Sequence, residues 1–81
     1  MKVMLISDPH AVKSAASLEI QAGSLQDPKG YAGISKLLQM CFMKSSKKFT
    51  KEKAYTEFLL KNGGAFNSYT SIFNTNYHFE V

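Results

Sequence analysis

Gly33-Ile34-Ser35-Lys36-Leu37-Leu38-Gln39-Met40-Cys41-Phe42-Met43-Lys44-Ser45-Ser46-Lys47-Lys48-Phe49 is the stretch that decides the fold. Its apolar residues Ile34, Leu37, Leu38, Cys41 and Phe42 recur at the period of a helix with one buried stripe. That stripe calls for a sheet or a second helix to lie against. Lys36, Gln39, Met40 and Met43 recur with the same period on the opposite face, which such a helix ordinarily leaves to solvent. The flanking sequence has to supply the layer that the stripe needs.

Before the helix, Val3 to Ile6 is a continuous apolar run stopped by Ser7-Asp8-Pro9, the pattern of a buried strand ending in a turn. From Ser14 to Ala22 the residues alternate, with Leu18, Ile20 and Ala22 on one side and Ser17, Glu19 and Gln21 on the other, which predicts a strand with one buried face. The two runs are spaced to pair as a hairpin. Gly23-Ser24 and Asp27-Pro28-Lys29-Gly30 then form a turn-rich approach to the helix, whose start is predicted near Tyr31.

Beyond the helix, Ser45-Ser46-Lys47-Lys48 breaks the periodicity, and Thr50 stands where an N-cap would open a second helix over 51–61. Ala54, Tyr55, Phe58 and Leu59 are its inward face, Glu57 and Lys61 are a favourable pair four apart, and Asn62-Gly63-Gly64 stops it. Two more strands are predicted over 65–72 and 75–81, the second with Tyr77, Phe79 and Val81 on one side. The order strand, strand, helix, helix, strand, strand predicts an α+β domain: one antiparallel sheet carrying both helices on one face. The apolar alternation runs up to Val81 without a closing turn, so the chain reads as cut rather than finished.

Composition narrows the functional classes. With 81 residues there is room for one domain, and a chain this short removes only ~60% of its unfolded surface from water, so its stability is expected to be thin and self-association is expected. At 44% hydrophobic with six Phe and four Tyr it is a globular sequence. The net charge of +4 comes wholly from ten lysines; no arginine is present, and arginine is the residue suited to bidentate phosphate and base contacts. The partners expected therefore include no nucleic acid and no membrane. Lys44, Lys47, Lys48, Lys51 and Lys53 form a local basic cluster, which keeps open a lysine-driven association with acidic partners. Cys41 cannot form an internal disulfide and is expected to be a small buried thiol on the apolar stripe. No secretory signal opens the sequence, which favours the cytoplasm, and the longest apolar segment falls far short of the ~20 residues of a membrane crossing.

The run Gly23-Ser24-Leu25-Gln26-Asp27-Pro28, then Gly33-Ile34-Ser35, Lys47-Lys48-Phe49, Lys51-Glu52 and Tyr55, resembles the N-terminal domain of the insulinase/pitrilysin family of zinc metallopeptidases. The similarity continues through Gly63-Gly64, Asn67, Thr70-Ser71 and Thr75-Asn76-Tyr77 to Phe79, so residues 1–81 read as part of that domain. The resemblance implies that the central helix should carry the inverted zinc motif H-x-x-E-H, two imidazole ligands with a Glu that activates the metal-bound water. Here Lys36, Gln39 and Met40 occupy those positions. An ammonium, an amide of no useful basicity and a thioether replace them, and the family's third ligand, a Glu from a later helix, falls beyond Val81. His10 and His78 have no metal-ligand spacing with that helix or with each other.

The expectation is thus a catalytically inactive, truncated homologue with no catalytic residue, no metal ligand and no cofactor. The resemblance also marks Asn67, Ser68, Tyr69 and Thr70 as the strand against which substrate peptides lie, with Asn67 and Thr70 matching the family and Ser68 and Tyr69 standing where Ala and Phe are usual. Strand addition acts through main-chain groups and needs no zinc. The partner expected is an extended peptide or another insulinase-family chain. The competing reading is part of a working zinc-dependent metalloendopeptidase.

Overall fold

The computed structural model describes residues 1–81 and contains three strands, β1 (Ala15–Ile20), β2 (Ala65–Thr70) and β3 (Thr75–Glu80). Two α-helices, α1 (Ile34–Phe42) and α2 (Ala54–Lys61), lie between β1 and β2, preceded by a short 3-10 turn at Ser24–Gln26. The strands form one antiparallel sheet in the order β1-β3-β2, so the last strand in sequence is the central one. Thr75, Tyr77 and Phe79 face the same side as Leu18 and Ile20 of β1 and Phe66, Ser68 and Thr70 of β2. Both helices cover that side: Phe42 of α1 packs on Tyr77 with ring centroids 4.6 Å apart, and Tyr55 of α2 meets Phe66 edge-on at 5.3 Å. The α+β arrangement expected from the sequence is therefore present.

Several details differ. The run Val3–Ile6 is not a strand; Val3 is 67% and Leu5 90% exposed, and β1 pairs with β3 instead of forming a hairpin with it. A hairpin of two strands gains little without a third strand or a layer behind it, and β3 offers β1 a six-residue register on a sheet that the helices already cover. Tyr77 and Phe79 are consequently at the centre of the sheet, with Tyr77 buried, and are not an open edge.

The helices start later than predicted. Gly33 sits at φ 90°, a left-handed conformation that cannot continue a helix backwards to Tyr31. Thr50 makes no capping bond; residues 51–53 form a turn in which Ala54 N–H donates to the Lys51 carbonyl, and α2 begins at Ala54. Gly63, at φ 70°, ends α2 as expected. Gly23 is required by close approach: a Cβ there would lie 2.2 Å from the Ser71 carbonyl oxygen, because the 3-10 segment docks on the β2–β3 turn through Ser24 N–H to Ser71 and Leu25 N–H to Ile72.

The largest correction concerns the face that α1 turns to the sheet. Gln39 is 6% exposed, and Ser35 and Met43 are partly covered, whereas Leu37, Leu38 and Cys41 point outward with Leu38 62% exposed. Of the predicted stripe, Phe42 meets the sheet through Tyr77. The polar face is the packed one because β2 offers it the hydroxyls of Ser68 and Thr70, while no element of this chain lies over Leu37 and Leu38. On α2 the predicted inward face holds for Leu59, 2% exposed, but Phe58 remains open at 62%.

Only 7 of the 81 residues are buried, which places the molecule among the thinly stabilised small domains. The radius of gyration is 14.9 Å, against about 12 Å for a compact chain of this length. The slab of 48 × 31 × 18 Å is one sheet and one helical layer.

Candidate functional site

Main-chain alternation decides which groups the outer strand β2 leaves free. Ser14 and Val81 exchange both amide-to-carbonyl bonds, at 2.8 and 2.9 Å. Hence β3 directs the main-chain groups of Thr75, Tyr77 and Phe79 to β1, and those of Asn76, His78 and Glu80 to β2, where Tyr69, Asn67 and Ala65 answer them. The N–H and C=O groups of Phe66, Ser68 and Thr70 then point away from the sheet along an edge without a partner strand.

Over that edge α1 places Gln39. Its Nε2 donates to the Ser68 carbonyl at 3.1 Å and to Ser68 Oγ at 2.9 Å. Its Oε1 accepts from the Thr70 hydroxyl at 2.7 Å and from Lys36 Nζ at 3.0 Å. All four hydrogen-bonding positions of the amide are therefore occupied, and its orientation is set, since a carbonyl can only accept and an ammonium can only donate. The Ser68 N–H is held by Asn67 Oδ1 at 2.8 Å. Met40 is 58% exposed and takes no part.

The strand residues marked by the resemblance separate onto two sides. Ser68 and Thr70 meet α1, while Asn67 and Tyr69 lie on the helix-free face. That face carries a second polar group, in which Asn76 Nδ2 donates to Ser17 Oγ at 3.2 Å and His78 Nδ1 lies 2.8 Å from Asn76 Oδ1. His78 is thus on the side of the sheet opposite Lys36, Gln39 and Met40, and His10 sits in the exposed turn after Asp8, where its N–H donates to Asp8 Oδ1. Nowhere do three His, Cys, Asp or Glu side chains gather.

The start of α1 is positioned by a residue that the sequence reading passed over as turn punctuation. Gly33 cannot cap the helix with a side chain, and Asp27 does so from six residues upstream, accepting from Gly33 N–H at 2.7 Å and Ser35 N–H at 3.0 Å. The Ser35 hydroxyl also donates to Asp27, and it is the leading reason that the carboxyl is held below its ordinary value of 3.8; desolvation opposes it as the next largest effect, and the backbone amides of Gly33, Ser35 and Ile34 add to the lowering. A helix start without Ser, Thr, Asp or Asn at the cap was the available signal for such a remote carboxylate. The same clamp holds Gln39 over β2.

Elsewhere the charges are ordinary surface pairs. Lys44 lies 2.7 Å from Glu52, which raises the lysine and lowers the carboxyl through their hydrogen bond, and Lys13 lies 3.0 Å from Glu80. Lys48 stands over the Phe49 ring at 5.5 Å. No helix is long and apolar enough to cross a membrane.

Against known proteins, the family model described as Insulinase (Peptidase family M16) matches residues 2–81. The chain is 43% identical over 81 residues to the A-factor-processing enzyme of Saccharomyces cerevisiae and 43% identical over 81 residues to the insulin-degrading enzyme of Homo sapiens, covering all of this chain and 8% of each relative. A crystal structure of pitrilysin superimposes with a TM-score of 0.85 at 37% identity, over 93% of this chain and 8% of that one. The chain spans about 8% of the length of the curated relatives it matches.

Proposed function

The chain belongs to the insulinase family of peptidases, and from that premise we propose that it is a catalytically inactive homologue of the zinc metalloendopeptidases, a module that binds extended peptide or another insulinase-family chain without cleaving it. The observation that carries this reading is the Gln39 amide, bonded at every position to Ser68, Thr70 and Lys36. At the place where the family's general base would stand, no lone pair is left to take a proton from water.

The neighbouring positions do not fit zinc either. Lys36 presents an ammonium already bonded to Gln39, and the Met40 thioether suits soft ions better than Zn²⁺. A catalytic zinc needs about three protein ligands and an open position, and both histidines lie on other parts of the fold. Binding is assigned to β2 because it is an edge strand in the covered sheet, and an extended segment can add to it through main-chain bonds.

A second reading, part of a zinc-dependent metalloendopeptidase acting in proteolysis, draws on the 43% identity to relatives named as processing and degrading enzymes. Lysine-driven binding of acidic partners draws on the exposed cluster of Lys44, Lys47, Lys48, Lys51 and Lys53, of which Lys44 is paired with Glu52 of the chain itself. Zinc content measured after dialysis, together with cleavage of a quenched fluorescent peptide, separates the first two readings. No stoichiometric zinc and no cleavage are expected; one chelator-removable zinc per chain with turnover would overturn the proposal. The Lys36→His, Gln39→Glu, Met40→His triple variant is expected to remain without turnover, because the three substitutions supply two imidazoles and a general base but not the third protein ligand that a catalytic zinc needs.

A further inference from the structure

We propose that Gln39 is a latch on the β2 edge, so that capture of an extended strand there requires its side chain to leave Ser68. This inference rests on the reading of β2 as the capture edge and adds what controls it. An incoming strand pairs through the outward groups of Phe66, Ser68 and Thr70, and Ser68 is the middle one. Both of its main-chain groups are already engaged: the carbonyl by Gln39 Nε2 at 3.1 Å and the amide by Asn67 Oδ1 at 2.8 Å. Gln39 also bonds Ser68 Oγ and Thr70 Oγ1, so its amide spans the two residues at which pairing would propagate.

The latch is built rather than incidental. Gln39 is 6% exposed, and its helix is anchored at its start by the Asp27 clamp. Lys36 Nζ, donating to Oε1, fixes the amide so that Nε2 is the end turned to the strand. A carboxylate in the same place has no donor, would face the Ser68 carbonyl oxygen as a second acceptor and lose the bond to the strand's main chain, and would keep only bonds to the Ser68 and Thr70 hydroxyls and to Lys36. Glutamine is therefore the residue that closes this edge, and an isosteric glutamate would open it.

The test compares the unmodified chain with Gln39→Glu and Gln39→Ala, using as probe an acetylated, amidated and fluorophore-labelled peptide of alternating Thr and Val, uncharged so that the added carboxylate does not attract it. Fluorescence anisotropy reads the affinity, and urea unfolding verifies that each variant is folded. Both variants are expected to bind about ten-fold more tightly than the unmodified chain, the equivalent of about 1.4 kcal/mol. Ser68→Pro in the Gln39→Glu background should erase the gain, because proline removes the central donor.

Equal or weaker binding by both folded variants overturns the latch while leaving β2 as the capture edge, provided that the unmodified chain binds and Ser68→Pro does not. A gain that survives Ser68→Pro also overturns it, since the peptide is then held elsewhere. Absence of binding by every variant overturns the latch and the capture reading together.

Discussion

Truncating Leu38 and Leu59 to alanine, each alone, should have very different consequences, although a reading of helical periodicity places both in the core. Leu38 is 62% exposed, so just over a third of its surface is covered. Full burial of a leucine side chain is worth about 1.5–3 kcal/mol, and the covered part therefore corresponds to at most about 0.6–1.1 kcal/mol. Leu59, on α2, is 2% exposed, and its removal leaves a cavity in addition to the lost transfer energy, about 2–5 kcal/mol. Set against the ~4–12 kcal/mol expected for 81 residues, Leu59→Ala removes a large share of the stability and Leu38→Ala a small one. Urea unfolding followed by circular dichroism reads the difference as midpoints at a common slope. Leu59→Ala should move the midpoint at least about twice as far as Leu38→Ala. Equal shifts would mean that α1 turns its leucine stripe to the sheet, and the placement of Gln39 over Ser68 would be wrong with it.

Gly23→Ala should destabilise the docking of the 3-10 segment on the β2–β3 turn, because the new Cβ meets main-chain oxygen at 2.2 Å and the main chain cannot swing aside as a side chain could; a melting temperature equal to that of the unmodified chain would refute the contact. The Asp27 carboxyl is held below 3.8 chiefly by the Ser35 hydroxyl, so its contribution is present at neutral pH, begins to fade as pH falls through the unfolded value and is gone below the folded one. Asp27→Asn should flatten that acid limb in a pH series of unfolding midpoints, and an unchanged limb would show that the clamp does not form. The outward Leu37 and Leu38, the open Phe58 and the unpaired Val3–Ile6 run should make the isolated chain associate as concentration rises; a single monomeric species throughout a sedimentation series would contradict this.

The sequence revealed the elements more fully than their partners. Alternation identified β1 and β3, and Asn62-Gly63-Gly64 identified the end of α2, because these signals arise from neighbouring residues and survive in any context. The pairing of β1 with β3 joins residues some sixty positions apart, Ala15 with Glu80 at one end and Ile20 with Thr75 at the other, and nothing local distinguishes it from a hairpin with Val3–Ile6. The start of α1 was misplaced for the same reason, since its cap is contributed by Asp27 across a turn and not by the residue at the boundary.

The orientation of α1 illustrates the remaining limit of periodicity. A 3.6-residue repeat defines two faces, and hydrophobicity nominates the face that gains most from burial, but a helix can bury only what some other element covers. Over β2 the surface on offer is hydroxyl and carbonyl, so the face that fits is the one bearing Gln39, and its amide is fully satisfied there. Gln39, the residue of Lys36-x-x-Gln39-Met40 that the proposed function places where a general base would stand, is thus the same one that ties the helix to the edge strand. On the proposed function and the proposed latch, loss of hydrolytic chemistry and closure of the binding edge would not be two independent events: a single amide, donating where a carboxylate could only accept, would produce both.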